Sequence, residues 1–138
     1  MSPVQTRAAE CSLPSDLRGR DVEVIPTNQR VVALTFDAGA SPSGIPKIRR
    51  VLRRRKAPAT FFLTGAFVER YPVRAQNLAR EHVIGNHSYT HPDLTALTRV
   101  AIRREITRAE REIVRVTGEN PRPYFRFPYG ARDTRTIR

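Results

Sequence analysis

The run Val31-Val32-Ala33-Leu34-Thr35-Phe36 limits the possible folds more than any other stretch of the chain. A continuous, β-branched apolar run of strand length, closed here by Asp37 and Gly39, is the pattern of a strand buried on both faces, and such strands belong to parallel sheets covered by helices. An interior strand of a parallel sheet is therefore expected. Its polar stop matters equally, because active sites of open α/β sheets and of β/α barrels lie at the carboxyl ends of the strands.

The same alternation continues along the chain. Ser43 precedes a helix with Pro46 in its first turn, where a missing N–H costs little, and Ile45, Ile48, Val51 and Leu52 share one apolar face while the arginines take the other. Ala57-Pro58 closes that helix, and Ala59 to Leu63 reads as a second short strand ending at Thr64-Gly65. Residues 66–81 predict a helix broken at Tyr71-Pro72; Val83-Ile84-Gly85 predicts a third strand, with His82 inside it as a structural side chain. Thr98 is the expected N-cap of the clearest helix, in which Ile102, Ile106, Ala109, Ile113 and Val116 recur at steps of four and three, and Gly118 is its expected stop. Tyr124 to Phe127 predicts a fourth strand, Pro128-Tyr129-Gly130 a turn, and Asp133 the cap of a further helix. Residues 1–23 read as a polar arm interrupted by Pro3 and Pro14, with Val22-Glu23-Val24 as a short edge strand, and residues 24–138 as one domain.

Composition narrows the partners. A net charge of +12 attracts nucleic acid, an anionic membrane or an acidic wall polymer. Apart from the cluster Arg49-Arg50 and Arg53 to Lys56, the arginines are scattered over several elements, with no reader motif and no basic run interleaved with aromatics, so no specific nucleic-acid partner is expected. No apolar run approaches the roughly 18 residues of a membrane span, and the first ten residues carry no apolar stretch of a secretory signal. Cys11 is the single cysteine and is expected as a free thiol. Nothing assigns an oligomeric state.

Three polar clusters follow predicted strands: Asp37 with Gly39, His87-Ser88-Tyr89-Thr90-His91, and Arg126-Phe127-Pro128-Tyr129-Gly130. Histidines four apart suit a metal with open positions, or serve the structure alone; Pro92 disfavours helical geometry at His91, so a strand-to-loop turn is expected. Near a metal, Asp37 is placed to act as a general base with Arg126 holding its orientation, and backbone N–H groups of the Pro128-Tyr129-Gly130 turn are placed to meet an oxyanion. The metal's share would be to polarise a carbonyl and acidify water.

In order and spacing, Thr35-Phe36-Asp37-Ala38-Gly39, His87 to His91 and Arg126 to Gly130 resemble the first three motifs of the polysaccharide deacetylases, the NodB homology domain of carbohydrate esterase family 4, and Ala59 to Gly65 resembles that family's second strand. The resemblance implies a distorted (β/α) barrel, incomplete in this chain at about its first four βα units. It also implies metal-dependent removal of acetyl groups from a glycan polymer such as peptidoglycan, chitin or xylan, at the cell envelope or outside the cell. The metal would be zinc, with cobalt or nickel as alternatives. Carried over by position, Asp37 matches the catalytic base, His87 and His91 the metal ligands, Arg126 the residue orienting the base, and Tyr129 the oxyanion donor. Ser88 and Pro128 match residues that support the motif loops.

Two departures temper the carry-over. Ala38 stands where the family usually has a second Asp that binds metal, which predicts weaker metal binding. The family's two later motifs, including the general acid, would follow Arg138, so an amino-terminal fragment is expected, with a non-catalytic glycan-binding remnant as the alternative.

Overall fold

The structure, a computed structural model, describes Leu17, residues 19–25 and residues 27–137. Cys11, most of the arm and Arg138 lie outside the described residues. Three four-residue strands, β1 (Thr35–Ala38), β2 (Thr60–Leu63) and β3 (Val83–Asn86), form a parallel sheet in the order β1-β2-β3. Helix α1 (Ile45–Arg55) connects the first pair, and α2 (Gly65–Arg70) with α3 (Pro72–Ala79) connects the second. A longer helix, α4 (Arg99–Thr117), packs across α2 and α3, and α5 (Thr134–Ile137) ends the chain.

One side of the sheet carries the core. Strand alternation sends Phe61 and Leu63 of β2 and Ile84 of β3 toward the helices, where they meet Ile45 and Leu52 of α1, Phe67 and Val68 of α2, Ala75 and Leu78 of α3, and Ile113 of α4. Several of these side chains are fully buried, and each burial of a large aliphatic or aromatic group contributes about 1.5–3 kcal/mol. The opposite side presents Asp37, Phe62 and Gly85, which the register aligns in a row across the three strands. The site forms on that side.

Helix boundaries follow local chemistry. Thr98 Oγ1 accepts the Ala101 N–H at the start of α4, and Gly118 ends it in the left-handed region at φ 75°. Tyr71-Pro72 separates α2 from α3, since proline can begin a helix but cannot continue one. Asp133 Oδ1 accepts the Thr136 N–H ahead of α5, as its position predicts.

Four expectations change. The first strand starts at Thr35, four residues later than expected, and lies at the edge of the described sheet with Asp37 exposed. Among the described residues its one partner is β2, which starts at Thr60 after the left-handed Lys56 and Pro58, so Val31 and Val32 pair with no described strand and are 58% and 85% exposed. Val22 to Val24 is exposed and forms no strand; this segment is held instead by Arg132, which pairs with Asp21 and Glu23. The predicted fourth strand contracts to one parallel bridge, Asn86 to Phe125, because Pro123 and Pro128 lack the N–H groups that would lengthen it. His82 precedes β3 by one residue, outside the strand.

Candidate active site

Asp37 is the third residue of β1, His87 follows β3 directly, and Arg126 follows the bridge residue Phe125. The sheet therefore brings three sequence-distant clusters to one edge. Arg126 Nη1 donates to Asp37 Oδ1 at 2.9 Å, Nη2 donates to Thr35 Oγ1 at 2.9 Å, and the guanidinium lies 4.2 Å over the Phe62 ring. Two hydrogen bonds and a ring face fix the plane of the guanidinium, and with it the carboxylate.

The main chain of Arg126 acts on the other half of the site. Its N–H donates to Asn86 O at 3.0 Å and its carbonyl lies 2.8 Å from His87 Nδ1. A carbonyl only accepts, so Nδ1 carries the proton and Nε2 of a neutral His87 carries the lone pair. Burial, with the side chain 4% exposed, holds the His87 pKa below the ordinary histidine value; the Arg126 carbonyl and Asp37 pull the other way, while His91 and Arg126 push it lower. The ring is neutral near pH 7.

His87 Nε2 stands 3.2 Å from His91 Nε2 and 3.7 Å from Asp37 Oδ2. Two nitrogens each about 2.0–2.1 Å from one tetrahedral ion stand about 3.3 Å apart, so the pair has the spacing of two ligands on a common cation. The second nitrogen of His87 is anchored to a carbonyl, as is usual for metal-binding histidines. The pair fits a divalent metal. It does so as two ligands only: among the described residues no group of three or more His, Cys, Asp and Glu side chains could hold a metal ion. Ala38 is packed in the apolar core and has no side-chain oxygen to offer.

Backbone conformation singles out the same place. Four non-glycine residues among those described have positive φ; Lys56 ends α1, and the other three are Ser88 at 63°, His91 at 61° and Tyr129 at 58°. Such conformations are uncommon and gather at functional sites. Ser88 is fully buried, and its Oγ accepts the His91 N–H at 3.1 Å, closing the turn between the histidines. Buried Pro128 begins the short turn Pro128–Gly130, whose two hydrogen bonds use the N–H groups of Gly130 and Ala131 and leave that of Tyr129 aside. The Tyr129 ring, 74% exposed, stands edge-on 4.5 Å from His91.

Contacts thus link Asp37, Arg126, His87, His91, Ser88 and Tyr129, and Pro128 opens the turn that carries Tyr129. Sequence reasoning missed Thr35, Asn86 and Glu105. Asn86 ties β3 to the site by accepting the Ser88 N–H on Oδ1 while Nδ2 donates to Ile106 O of α4, and Glu105 accepts from the backbone of Tyr89 and Thr90. Thr35 opens the first motif without an assigned role, Asn86 adjoins the second, and no local signal marks Glu105.

Comparison with known proteins identifies the family. The family model described as polysaccharide deacetylase matches residues 25–138. A peptidoglycan-N-acetylmuramic acid deacetylase of Bacillus subtilis is 38% identical over 105 residues, covering 75% of this chain and 40% of the relative. A family 4 carbohydrate esterase from Bacillus anthracis superposes with TM-score 0.73 at 40% identity, covering 76% of this chain and 51% of that one. A pseudoenzyme of the same family, also from Bacillus anthracis, superposes with TM-score 0.76 at 30% identity, covering 80% and 39%. The chain spans about half the length or less of these three proteins. With the family model matched over most of its length and the parallel sheet shared, this chain belongs to the polysaccharide deacetylase family, carbohydrate esterase family 4.

Proposed function

We propose that the chain carries the base and metal half of a deacetylase site acting on an acetylated glycan of the peptidoglycan class. The observation that carries this reading is the arrangement of Asp37, clamped by Arg126, beside two histidine nitrogens 3.2 Å apart. Residues 24–138 are taken as part of the catalytic domain, with residues 1–23 an arm. The naming of the Bacillus subtilis relative supports a wall polymer as substrate and a place at the cell envelope. No helix among the described residues is long and apolar enough to cross a membrane.

In this reading His87 and His91 hold the metal, zinc in the first instance with cobalt or nickel as substitutes. When bound, it polarises the acetyl carbonyl and favours ionisation of water. Asp37 receives a proton from the attacking water, with the carboxylate held in place by Arg126. Ser88 keeps the histidine turn closed, Pro128 sets the neighbouring turn, and the Tyr129 N–H meets the carbonyl oxygen as it gains charge.

Metal analysis tests the assignment. The purified chain should take up zinc or cobalt at or below one equivalent, and His87→Ala should lose it; equal metal content in the two proteins would remove His87 from the site. Ala38 favours a second reading, a glycan-binding remnant that no longer turns over. Saturable oligosaccharide binding without acetate release identifies the remnant, and acetate release dependent on Asp37 identifies the enzyme.

A further inference from the structure

The turn that joins the two histidines is held partly from outside. Ser88 and His91 are both left-handed, and between them the N–H groups of Tyr89 and Thr90 point the same way, at 3.0 and 2.8 Å from a single oxygen, Glu105 Oε2. The other oxygen, Oε1, accepts the Thr90 hydroxyl at 3.0 Å. Successive N–H groups converging from such a turn form a small anion-binding concavity, and a carboxylate from α4 fills it.

We propose that Glu105 is a positioning residue for the histidine pair: its carboxylate holds the left-handed turn that aims His87 and His91 at one point. Three observations support it. Tyr89 is 5% exposed, so its N–H, once released by Glu105, would have little access to water, whereas Thr90 is exposed and its N–H would turn to solvent. Nearby side-chain contacts fix the tyrosine ring and do not reach the Tyr89 and Thr90 N–H groups: Tyr89 Oη donates to Glu69, the Arg108 guanidinium lies 3.6 Å over the ring, and the ring packs on Gly65 so closely that a Cβ there would come within 2.2 Å. Finally, Ser88 Oγ accepts the His91 N–H and the N–H groups of Gly65 and Ala66 hold the Ser88 and Tyr89 carbonyls, so Glu105 is the partner of the two N–H groups in the middle of the turn.

The proposal rests on the metal reading above for its consequence, although the geometry of the turn is independent of it. Two readouts separate the two. Zinc affinity, measured by competition with a chromogenic chelator, should fall roughly ten-fold or more in Glu105→Ala, the usual effect of losing a group that orients a metal ligand. Glu105→Gln keeps an oxygen for the two N–H groups and should stay within about three-fold of the parent. Glu110→Ala, on the same helix and paired with Arg122, should leave affinity unchanged. The second readout needs no metal: amide exchange at Tyr89 and Thr90 should accelerate in Glu105→Ala, with loss of the nuclear Overhauser contact between the two imidazoles, and Glu105→Gln should preserve both. Parent-like affinity and exchange in Glu105→Ala would overturn the proposal, as would equal losses in the Ala and Gln variants. If the parent binds no zinc while exchange and ring contact respond as stated, the metal reading fails and the clamp stands.

Discussion

His82 links a single side chain to the acid stability of the fold. Its side chain is 4% exposed, its ring lies 5.1 Å from that of Phe61, and neither ring nitrogen has a hydrogen-bond partner among the described residues. Burial lowers its pKa in the folded state; Glu81, at 3.9 Å, opposes that shift and Arg49 adds to it. An unfolded histidine titrates near 6.5, so below that pH the unfolded chain binds more protons than the folded one. Stability is therefore fully present above about pH 6.5 and declines as pH falls from there through the lowered folded value. Urea denaturation should give a level midpoint at pH 7–8 and a falling one below about pH 6.5. His87, also depressed by burial, contributes with the same sign. His82→Phe should accordingly reduce the slope without abolishing it, and an unchanged slope would show that His82 does not titrate with unfolding.

At the scale of elements, α4 is the part on which the site leans, since it supplies Glu105 and receives the Asn86 amide. Its start is secured by one hydroxyl, Thr98 Oγ1 at 3.3 Å from the Ala101 nitrogen. Thr98→Ala should cost about 1 kcal/mol, seen as a fall of about 4 °C in the thermal midpoint; no change would mean that water replaces the cap. The helix was legible because cap, apolar stripe and terminal glycine all lie within its own sequence. β1 was misplaced because strand length depends on the partner, and nothing in Val31 to Leu34 records that β2 begins only at Thr60. The fourth strand failed for a related reason: the prolines beside it set how much of it can pair, and their effect depends on where β3 stops. Asp37 and His87 stand out in the sequence because each follows a short apolar run, and His91 and Arg126 because of the four-residue histidine spacing and the motif around Phe125 to Gly130, all local signals. Glu105 does not, because α4 also carries Glu110 and Glu112, and only the packing of the helix selects the one that faces the turn.

For the molecule as a whole, the unbalanced quantity is charge. The net charge is +12, and α1 holds much of the excess: it contains no acidic residue, and among the described residues Glu81 alone answers Arg49 and Arg53. Lys47, Arg50, Arg54, Arg55 and Lys56 are exposed and unpaired among the described residues. Lys47, Arg50 and Arg54 follow the three- and four-residue steps that stack side chains on one helix face, and each such like-charge pair costs about 0.2–0.5 kcal/mol. Salt acts on this repulsion and on the surface ion pairs in opposite senses. The ion pairs Arg115–Glu112 and Arg122–Glu110, at 2.5 and 2.9 Å, lie well inside any screening length used in practice, whereas the repulsions extend across the whole surface. Raising ionic strength from 0.01 to 0.15 M shortens the Debye length from about 30 to about 8 Å, which removes mainly the long-range repulsion. The chain should therefore become more stable over that interval. Arg50→Gln, which removes the middle charge of the stripe, should raise the denaturation midpoint at 0.01 M salt and have a smaller effect at 0.15 M. A midpoint that falls as salt is added would show instead that the short ion pairs outweigh the excess charge, and the variant would then bring no gain at low salt.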